Sequence, residues 1–283
     1  MDERWVALLG VKGGPAIRPG SSMPTSTLAR MGGRTVLVDV GLGAARAVCA
    51  QGVALTEIDL ILVTHLHSDH YLELGPLLHT AWTAGLTRPV PVIGPPGLAA
   101  YWRHFLAAMA FDVDLRIADE GRVPLAPLAD IREIAAGVVW EDGLRVEAVR
   151  NDHPPVTDSF ALRLSDGGGS VVLSGDTAPF DGWAAFCRGA GLLVHEAMQR
   201  AGVDRLLAAY DDPDGRLRAH VLRSHTDAED VGRLAAAAGV GALALHHLVP
   251  DAPASEWEAM VRRHWAGPLH IGRDGLRIAL PGP

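Results

Sequence analysis

Three histidines and an aspartate lie within six positions of the chain, at His65, His67, Asp69 and His70. They follow Ile61-Leu62-Val63, a short apolar run that is typical of a buried strand. If His65 and His67 leave this strand in extended geometry, the two-residue period points both imidazoles the same way, so they can bind one metal ion. Asp69 and His70 come after the turn and cannot easily reach that ion. The spacing therefore predicts a second ion about 3.5–4 Å away, as in hydrolytic two-metal sites.

Ligand-type side chains also follow several other predicted strands. The strands predicted at 144–149, 170–173, 192–194 and 242–245 run into His153, Asp176, His195-Glu196 and His246-His247. Layered folds draw catalytic residues from the carboxyl ends of several strands, so distant positions converge on one edge of the sheets. A lone histidine is more often a surface residue than a ligand, but this repetition favours a metal site over solvated loops.

Composition limits the class of protein. The chain has 283 residues, of which 48% are apolar, and the expected organisation is one domain with a sizeable core. No run approaches the roughly 18 apolar residues of a membrane span, and the N-terminal residues do not have the layout of a secretory signal, so a cytoplasmic protein without membrane contact is expected.

The formal charge of −8 gives no long-range attraction for polyanions. Cys49 and Cys187 are expected to be reduced, buried thiols.

The remaining pattern alternates strands and helices. Hairpins are predicted at 27–30 with 35–40, across Gly32-Gly33, and at 159–164 with 170–173. Further strands are predicted at 5–9, 89–92, 114–117 and 131–134, and helices at 44–51 and 72–85. A further helix is predicted after residue 97 and carries Tyr101, Trp102 and Phe105. This aromatic stripe either packs in the core or lines the mouth of a substrate pocket. Segment 205–210 is read as helix and 211–215 as a turn.

With these residues assembled, the chain resembles the metallo-β-lactamase-fold hydrolases and is most similar to the ribonuclease Z and arylsulfatase-like branch. The resemblance covers nearly the whole length. It implies an α/β fold, a four-layer αββα sandwich of two mixed β-sheets flanked by helices. It rests on motifs that occur in family order: Leu9-Gly10 with Gly13-Gly14-Pro15, Val38-Asp39-Val40-Gly41, T-H-x-H-x-D-H at 64–70, Asp152-His153 before Ser159-Phe160, Ser174-Gly175-Asp176-Thr177, His195-Glu196-Ala197, Ser224-His225-Thr226 with Ala228-Glu229, and the segment 245–250.

When the family's ligand residues are placed on the matching motifs of this chain, the resemblance implies two divalent metal ions. One ion would be held by His65, His67 and His153, the other by Asp69, His70 and a histidine of the His246-His247 pair, and Asp176 would bridge the two. His247 is preferred because it directly precedes Leu248-Val249-Pro250, while His246 stays open as the alternative. Zinc suits this ligand set, and manganese or iron accept the same groups.

The resemblance also implies hydrolysis by a hydroxide that bridges the metals. Asp69 and His225 are assigned to catalysis, His225 as a donor of a proton or hydrogen bond to the leaving group. A helix-capping role is the alternative for His225. Glu196 is expected to orient a ligand histidine. His104, His220, His264 and His270 lack such context and are assigned to the surface or the core.

A departure from the family shapes the substrate prediction. The tRNA-processing enzymes carry a long basic arm between the third ligand histidine and the bridging aspartate, where this chain has one compact hairpin. A small ester-type molecule is therefore the expected substrate (phosphodiester, sulfate ester, lactone or related acyl compound), and nucleic acid is not the expected partner. The alternatives are a ribonuclease Z-like nucleic-acid phosphodiesterase and a metal-binding sensor without turnover.

The substrate pocket is expected to draw on Tyr101, Trp102 and Phe105. Segments 71–110 and 197–222 of the single domain 1–283 are expected to line or cover it. A homodimer is left open, because members of this branch are often dimers.

Overall fold

Two seven-stranded mixed β-sheets form the centre of the computed structural model, which describes residues 4–208, 210 and 212–280. Sheet 1 has the order β14-β1-β2-β3-β4-β5-β6, and sheet 2 has the order β13-β12-β11-β10-β9-β8-β7. In sheet 1, β3 to β6 are parallel, and in sheet 2, β10 to β13 are parallel. Numbered along the chain, the strands are β1 (Trp5–Gly10), β2 (Ser26–Met31), β3 (Arg34–Val38), β4 (Leu60–Leu62), β5 (Val90–Gly94), β6 (Ala129–Glu133), β7 (Gly137–Glu141), β8 (Arg145–Arg150), β9 (Phe160–Asp166), β10 (Gly169–Leu173), β11 (Leu192–Met198), β12 (Leu243–Val249), β13 (Leu269–Ile271) and β14 (Leu276–Ala279).

Helices cover the outer faces of both sheets. Helices α1, α3 and α4 pack on sheet 1, and α5, α8 and α9 pack on sheet 2, while an apolar layer fills the space between the sheets. This is the four-layer αββα sandwich that the resemblance implies. The helices are α1 (Ala44–Ala50), α2 (Ser68–Tyr71), α3 (Leu74–Thr83), α4 (Leu98–Glu120), α5 (Trp183–Cys187), α6 (Val203–Leu207), α7 (Arg216–Ser224), α8 (Ala228–Ala238) and α9 (Ala254–Val261).

Both predicted hairpins are present. Strands β2 and β3 pair antiparallel, and β9 and β10 do the same. The first turn consists of Gly32 and Gly33 with φ of 56° and 69°. Because both residues adopt positive φ, the glycine pair matches the tight turn type that favours β-hairpins.

The prediction of a strand at 114–117 is wrong, because these residues belong to α4. Arg116 pairs with Asp112 at 3.0 Å and with Glu120 at 2.8 Å, both at the i,i+4 spacing of a helix. The short alternation of polar and apolar residues looked like a strand, but the helix begun at Leu98 continues through it. Strands β7, β13 and β14 had no prediction.

An ion pair near the chain's beginning joins the two sheets. Arg4, which precedes β1, donates to both carboxylate oxygens of Asp166, at 3.0 and 2.7 Å. The amides of Gly32 and Gly168 donate to the same carboxylate at 2.8 and 2.9 Å. Asp166 at the end of β9 thus connects sheet 2 with the β2–β3 turn of sheet 1.

Three further expectations concern small features. Cys187 is buried as predicted, whereas Cys49 is exposed on the last turn of α1, so the prediction for Cys49 is wrong. The helix predicted at 205–210 corresponds to α6, and Ala209 and Asp211 lie outside the described residues. Within the described ranges, no helix combines the length and apolar character that crossing a membrane requires.

Candidate metal centre and its cavity

The buried strands of both sheets bring the ligand-type residues together. His65 follows β4 after Leu62 and Val63, and His153 and Asp176 follow β8 and β10. All three side chains are at most 2% exposed. The convergence predicted from the strand ends is therefore what the fold produces.

One group consists of His65, His67, His153 and Asp176, whose ligand-type atoms all lie within 4.8 Å of one another. His67 Nδ1 lies 3.1 Å from His65 Nε2 and 3.0 Å from His153 Nε2. Imidazole nitrogens that share one zinc ion at 2.0–2.1 Å in tetrahedral geometry lie roughly 3.3 Å apart. The three nitrogens therefore have the spacing of ligands to a common ion.

A second group consists of Asp69, His70 and His247. Asp69 Oδ2 lies 3.6 Å from His70 Nε2 and 3.3 Å from His247 Nε2. All three side chains are buried. This group could hold a metal ion of its own.

Asp176 lies between the two groups. Its Oδ2 is 3.8 Å from His65 Nε2 and 3.9 Å from His153 Nε2 on one side. On the other side, the same oxygen is 3.3 Å from His70 Nε2 and 3.0 Å from His247 Nε2. A carboxylate at this position can contact ions in both groups.

A β-bulge in β12 directs His247 into the cluster. Glu196 of β11 pairs with His246, but Ala197 pairs with Leu248, so His247 is the extra residue, and its φ is 41°. His246 instead donates from Nε2 to the carbonyl of Gly10 at 2.8 Å. Of the two neighbouring histidines, the structure thus places His247 in the cluster and holds His246 away from it.

Outer hydrogen bonds fix the orientation of the imidazoles. Asp39 accepts a hydrogen bond from His70 Nδ1 at 2.8 Å, and the carbonyl of Ser224 accepts one from His153 Nδ1 at 2.9 Å. Each bond leaves Nε2 as the ring nitrogen that faces the cluster. Asp39 also accepts from Thr64, whose hydroxyl lies 3.1 Å from His65 Nδ1.

Several buried polar atoms of the cluster have no hydrogen-bond partner among the described residues. Two of these atoms are His70 Nε2 and Asp176 Oδ1. Burying polar atoms without a partner is costly, so such atoms indicate a ligand that the protein chain itself does not supply. Together with the imidazole and carboxylate donor set, they fit divalent metal ions.

The pKa values of the histidines differ between the two ligand groups. Burial lowers the pKa of His153 to about 4 and lowers that of His65 well below its ordinary value, so both rings are neutral and suited to bind metal. Burial also acts on His247, but the carboxylates of Asp176 and Asp69 outweigh it and raise its pKa to about 10. A metal ion in the second group must therefore displace a proton from His247.

His225 lies beside the metal-ligand groups, within reach of Asp176 and His247. Its ring stacks on His247 with centroids 5.3 Å apart, and its Nδ1 lies 3.3 Å from Glu196 Oε2. Glu196 was expected to orient a ligand histidine, and the structure places it against His225 instead. The capping role of this segment belongs to Asp227, which accepts from the Glu229 amide at the start of α8.

A cavity of about 370 Å³ opens over the cluster, within the size range of small-molecule sites. His67, Asp69, Asp176, His225 and His247 form its floor and walls. Segment 197–222 supplies apolar and polar wall residues, which are Leu206, Tyr210, Leu217, His220 and Val221. Among the described residues, segment 71–110 supplies none.

The aromatic stripe of α4 packs away from this cavity. Tyr101 donates from its hydroxyl to the carbonyl of Leu72 at 2.9 Å, and Trp102 donates to the carbonyl of Ala126 at 3.1 Å. Phe105 stacks on Trp102 with ring centroids 5.6 Å apart. Tyr101, Trp102 and Phe105 thus belong to the layer between α4 and sheet 1, the core alternative that the sequence also allowed.

Sequence reasoning gave Lys12 no role and brought His220 to the cavity only as part of segment 197–222, not as an individual residue. His220 was assigned to the surface or core, yet its ring centroid lies 6.1 Å from that of His67 and 6.3 Å from that of His153. Lys12 was given no role, yet it lies at the cavity wall. The position of Lys12 beside Gly13 and Gly14 in the loop after β1 was a usable signal, whereas the sequence indicated the segment that contains His220 but not this side chain.

Comparison with known proteins agrees with this geometry. The family model described as Metallo-beta-lactamase superfamily matches residues 20–237. The chain is 37% identical over 285 residues to Ribonuclease Z of Mycolicibacterium paratuberculosis (strain ATCC BAA-968 / K-10), covering 98% of this chain and 99% of that protein. It is 35% identical over 280 residues to Ribonuclease Z of Mycobacterium bovis (strain BCG / Pasteur 1173P2), covering 96% and 97%.

Solved structures share the fold at lower identity. A metallo-β-lactamase fold protein from Bacillus subtilis superposes with a TM-score of 0.72 at 21% identity, covering 98% of this chain and 99% of that one. The short form of human tRNase Z gives a TM-score of 0.72 at 19% identity, with the same coverage. On the family match and the full-length relatives, the chain belongs to the metallo-β-lactamase superfamily and is a metal-dependent hydrolase.

Proposed function

We propose that the chain is a phosphodiesterase of the ribonuclease Z type, which hydrolyses RNA. The observation that carries the proposal is Asp176 Oδ2, which lies 3.0–3.9 Å from the Nε2 atoms of four histidines in two groups. A carboxylate shared by two ligand groups is the arrangement expected of a two-metal hydrolytic site. The choice of RNA is supported by the name Ribonuclease Z, which relatives at 35–38% identity carry.

In this proposal, His65, His67 and His153 hold one ion, Asp69, His70 and His247 hold the other, and Asp176 contacts both. Imidazole and carboxylate ligands suit zinc, with manganese and iron as alternatives. When bound, the two ions supply Lewis acidity, which lowers the pKa of a nearby water towards neutrality and polarises the phosphoryl group.

The remaining roles fall to residues at the cavity wall. His225 donates a proton or hydrogen bond to the departing oxygen of the substrate, and Glu196 keeps its ring in place from the Nδ1 side. Asp69 lines the cavity as well as the second ligand group, so its carboxylate can also accept a hydrogen bond from the attacking water. Segment 197–222 covers the substrate from the α6–α7 side.

The compact hairpin between His153 and Asp176 was expected to argue against RNA. The match to the Mycolicibacterium paratuberculosis protein aligns 285 residues over 99% of its length, which leaves no room for a long inserted arm in that relative either. The hairpin therefore does not separate this chain from proteins that carry the name Ribonuclease Z. The charge of −8 still requires that any RNA contact be local.

A direct test uses the zinc-loaded protein with a labelled transcript and with bis(4-nitrophenyl) phosphate, a chromogenic phosphodiester. Cleavage of both substrates by the wild type, and of neither by Asp176→Ala, is the expected result. A wild-type protein that carries metal but cleaves neither phosphodiester would sink the proposal.

A second candidate is hydrolysis of a small ester-type substrate, and the cavity favours it. The volume of about 370 Å³ and the apolar wall from Leu206, Leu217 and Val221 suit a small molecule better than a duplex. Comparing RNA and small phosphodiesters by kcat/KM at increasing salt separates the candidates. RNA binding that relies on phosphate contacts weakens steeply with salt, whereas turnover of a small ester changes little.

A further inference from the structure

Lys12 is the only lysine in the chain, and it lies at the wall of the cavity over the metal-ligand groups. It follows β1 on the glycine-rich loop. The loop is anchored at both sides of Lys12: its amide donates to the carbonyl of Met23 at 2.9 Å, and the next amide, that of Gly13, donates to Leu248 at 3.1 Å. The backbone that carries Lys12 is therefore fixed against the strand that supplies His247.

The ammonium group of Lys12 is held by backbone carbonyls. Its Nζ donates to Gly13 at 2.8 Å and to Gly14 at 3.0 Å. Within the described part of the chain, these are its hydrogen-bond acceptors, and it forms no ion pair. Because an ammonium group has three N–H donors, one donor is left for another partner.

The charged groups around Lys12 act on it without forming an ion pair with it among the described residues. Asp69, Asp251 and Arg18 are the charges that act on it. Asp69 is committed elsewhere, since its Oδ2 accepts from the Gly14 amide at 2.9 Å and lies 3.3 Å from His247 Nε2. A partly buried cation beside a cavity, held by neutral carbonyls, is a good partner for an anionic oxygen because charge-assisted hydrogen bonds are stronger than neutral ones.

We propose that Lys12 forms an anion subsite that binds a second phosphate group of the substrate, next to the phosphoryl group at Asp176. The inference rests on the proposed phosphodiesterase function, because it assumes that the first phosphoryl group lies at the metal-ligand groups. Lys12 and Asp176 line the same cavity, so one small ligand can contact both. RNA carries a further phosphate beside the scissile one, and so does a small bisphosphate.

Binding of inert nucleotides tests the subsite without turnover. Isothermal titration calorimetry on the zinc-loaded protein compares adenosine 3′,5′-bisphosphate with adenosine 5′-monophosphate and adenosine 3′-monophosphate. We expect the wild type to bind the bisphosphate about tenfold more tightly than either monophosphate, since one charge-assisted hydrogen bond supports about that ratio. Lys12→Met should lose this preference, and Lys12→Arg should keep most of it.

Arg216→Met is the matched control, because the Arg216 side chain is 87% exposed and pairs with Asp214 outside the cavity. It removes one positive charge and should leave the preference unchanged. Metal content and melting temperature of all variants should equal those of the wild type. A bisphosphate preference that is absent in the wild type, or that survives in Lys12→Met, would overturn the subsite.

The two proposals fail in different ways. A protein that prefers the bisphosphate through Lys12 but cleaves no phosphodiester retains the subsite and loses the proposed function. A protein that cleaves phosphodiesters but binds all three nucleotides equally retains the function and loses the subsite. Cleavage of RNA but not of small phosphodiesters, together with the Lys12-dependent preference, assigns the second phosphate to the RNA backbone.

Discussion

Glu196 Oε2 lies 3.3 Å from His225 Nδ1, and neither atom forms a hydrogen bond within the described residues. The other oxygen, Oε1, accepts from the amide of Thr226 at 2.7 Å, which fixes the carboxylate. Glu196 is 2% exposed and His225 is 7% exposed. A buried carboxylate on the Nδ1 side leaves Nε2 as the nitrogen available to a substrate in the cavity.

His225→Ala is expected to lower kcat by about 10²–10⁴-fold, the range of a lost general acid, while both metal ions stay bound. Steady-state kinetics and metal analysis of the purified variant check this. Loss of a metal ion would instead make His225 a ligand, since it lies within reach of Asp176 and His247. An unchanged rate would remove it from the reaction.

Glu196→Gln is the companion variant, because it keeps the contact to Thr226 but removes the charge beside His225. We expect kcat to fall by about tenfold at unchanged metal content. Glu229→Gln removes a carboxylate that pairs with Arg263 at the surface and serves as the control. A rate equal to the wild type in Glu196→Gln would show that the contact does not position His225.

Asp176→Ala is expected to lower metal content by about half or more and to abolish hydrolysis, because Asp176 Oδ2 faces both ligand groups. Metal analysis after dialysis and an activity assay check the prediction. Asp181→Ala removes an exposed carboxylate shortly after β10 and should behave as the wild type. Full metal content in Asp176→Ala would contradict the bridging role.

Gly13→Ala tests the packing between the glycine-rich loop and His247. A Cβ at residue 13 would lie 3.0 Å from His247 Cε1 and 2.3 Å from Val249 Cγ2, so the imidazole must shift. We expect metal affinity in the second group to fall by about tenfold, with a matching loss of activity. Titration with zinc against a competing chelator measures the affinity.

Gly167→Ala is the matched control, since a Cβ there meets nothing within 4 Å and its φ is not positive. It should bind zinc as tightly as the wild type. If both alanine variants bind zinc equally, the loop does not set the position of His247.

Sequence patterns predicted the parts of this molecule that local rules control. Apolar runs marked most strands of the two sheets, and Gly32-Gly33 marked a hairpin whose turn needs positive φ. The same local rules misread residues 114–117, because four residues with alternating polarity do not reveal that a helix started sixteen residues earlier. Where a helix ends depends on contacts along its whole length, and a four-residue pattern does not contain them.

The site shows a similar division. The family motifs indicated both ligand groups and favoured His247 over His246, and the physical reason for that choice is a bulge opposite Glu196. No spacing rule reports such a bulge, since it arises from pairing between β11 and β12. Lys12 lies on a loop and His220 on α7, and tertiary packing brings both to the wall of one cavity.

Asp166 is expected to make stability depend on pH below the neutral range. Burial alone would raise the pKa of Asp166, but Arg4 and the amides of Gly168 and Gly32 hold it below its usual 3.8. A carboxyl whose folded pKa is lowered stabilises the fold above its unfolded pKa, and this stabilisation is lost as pH falls through the folded value. Asp166→Ala should therefore lower the free energy of unfolding by about 3 kcal/mol at pH 7.

Urea unfolding of wild type and Asp166→Ala between pH 7 and pH 3 measures this contribution. The difference between the two proteins should be constant near neutrality and shrink below about pH 3.8, because protonation weakens the Arg4 pair in the wild type. Asp142→Ala provides the comparison, since Asp142 pairs with Arg34 while 59% exposed, and a surface pair contributes about 0–1 kcal/mol. A difference for Asp166→Ala no larger than that for Asp142→Ala would mean that the carboxylate does not join the two sheets energetically, because the substitution removes four hydrogen bonds to Asp166, two from the Arg4 guanidinium and one each from the amides of Gly32 and Gly168.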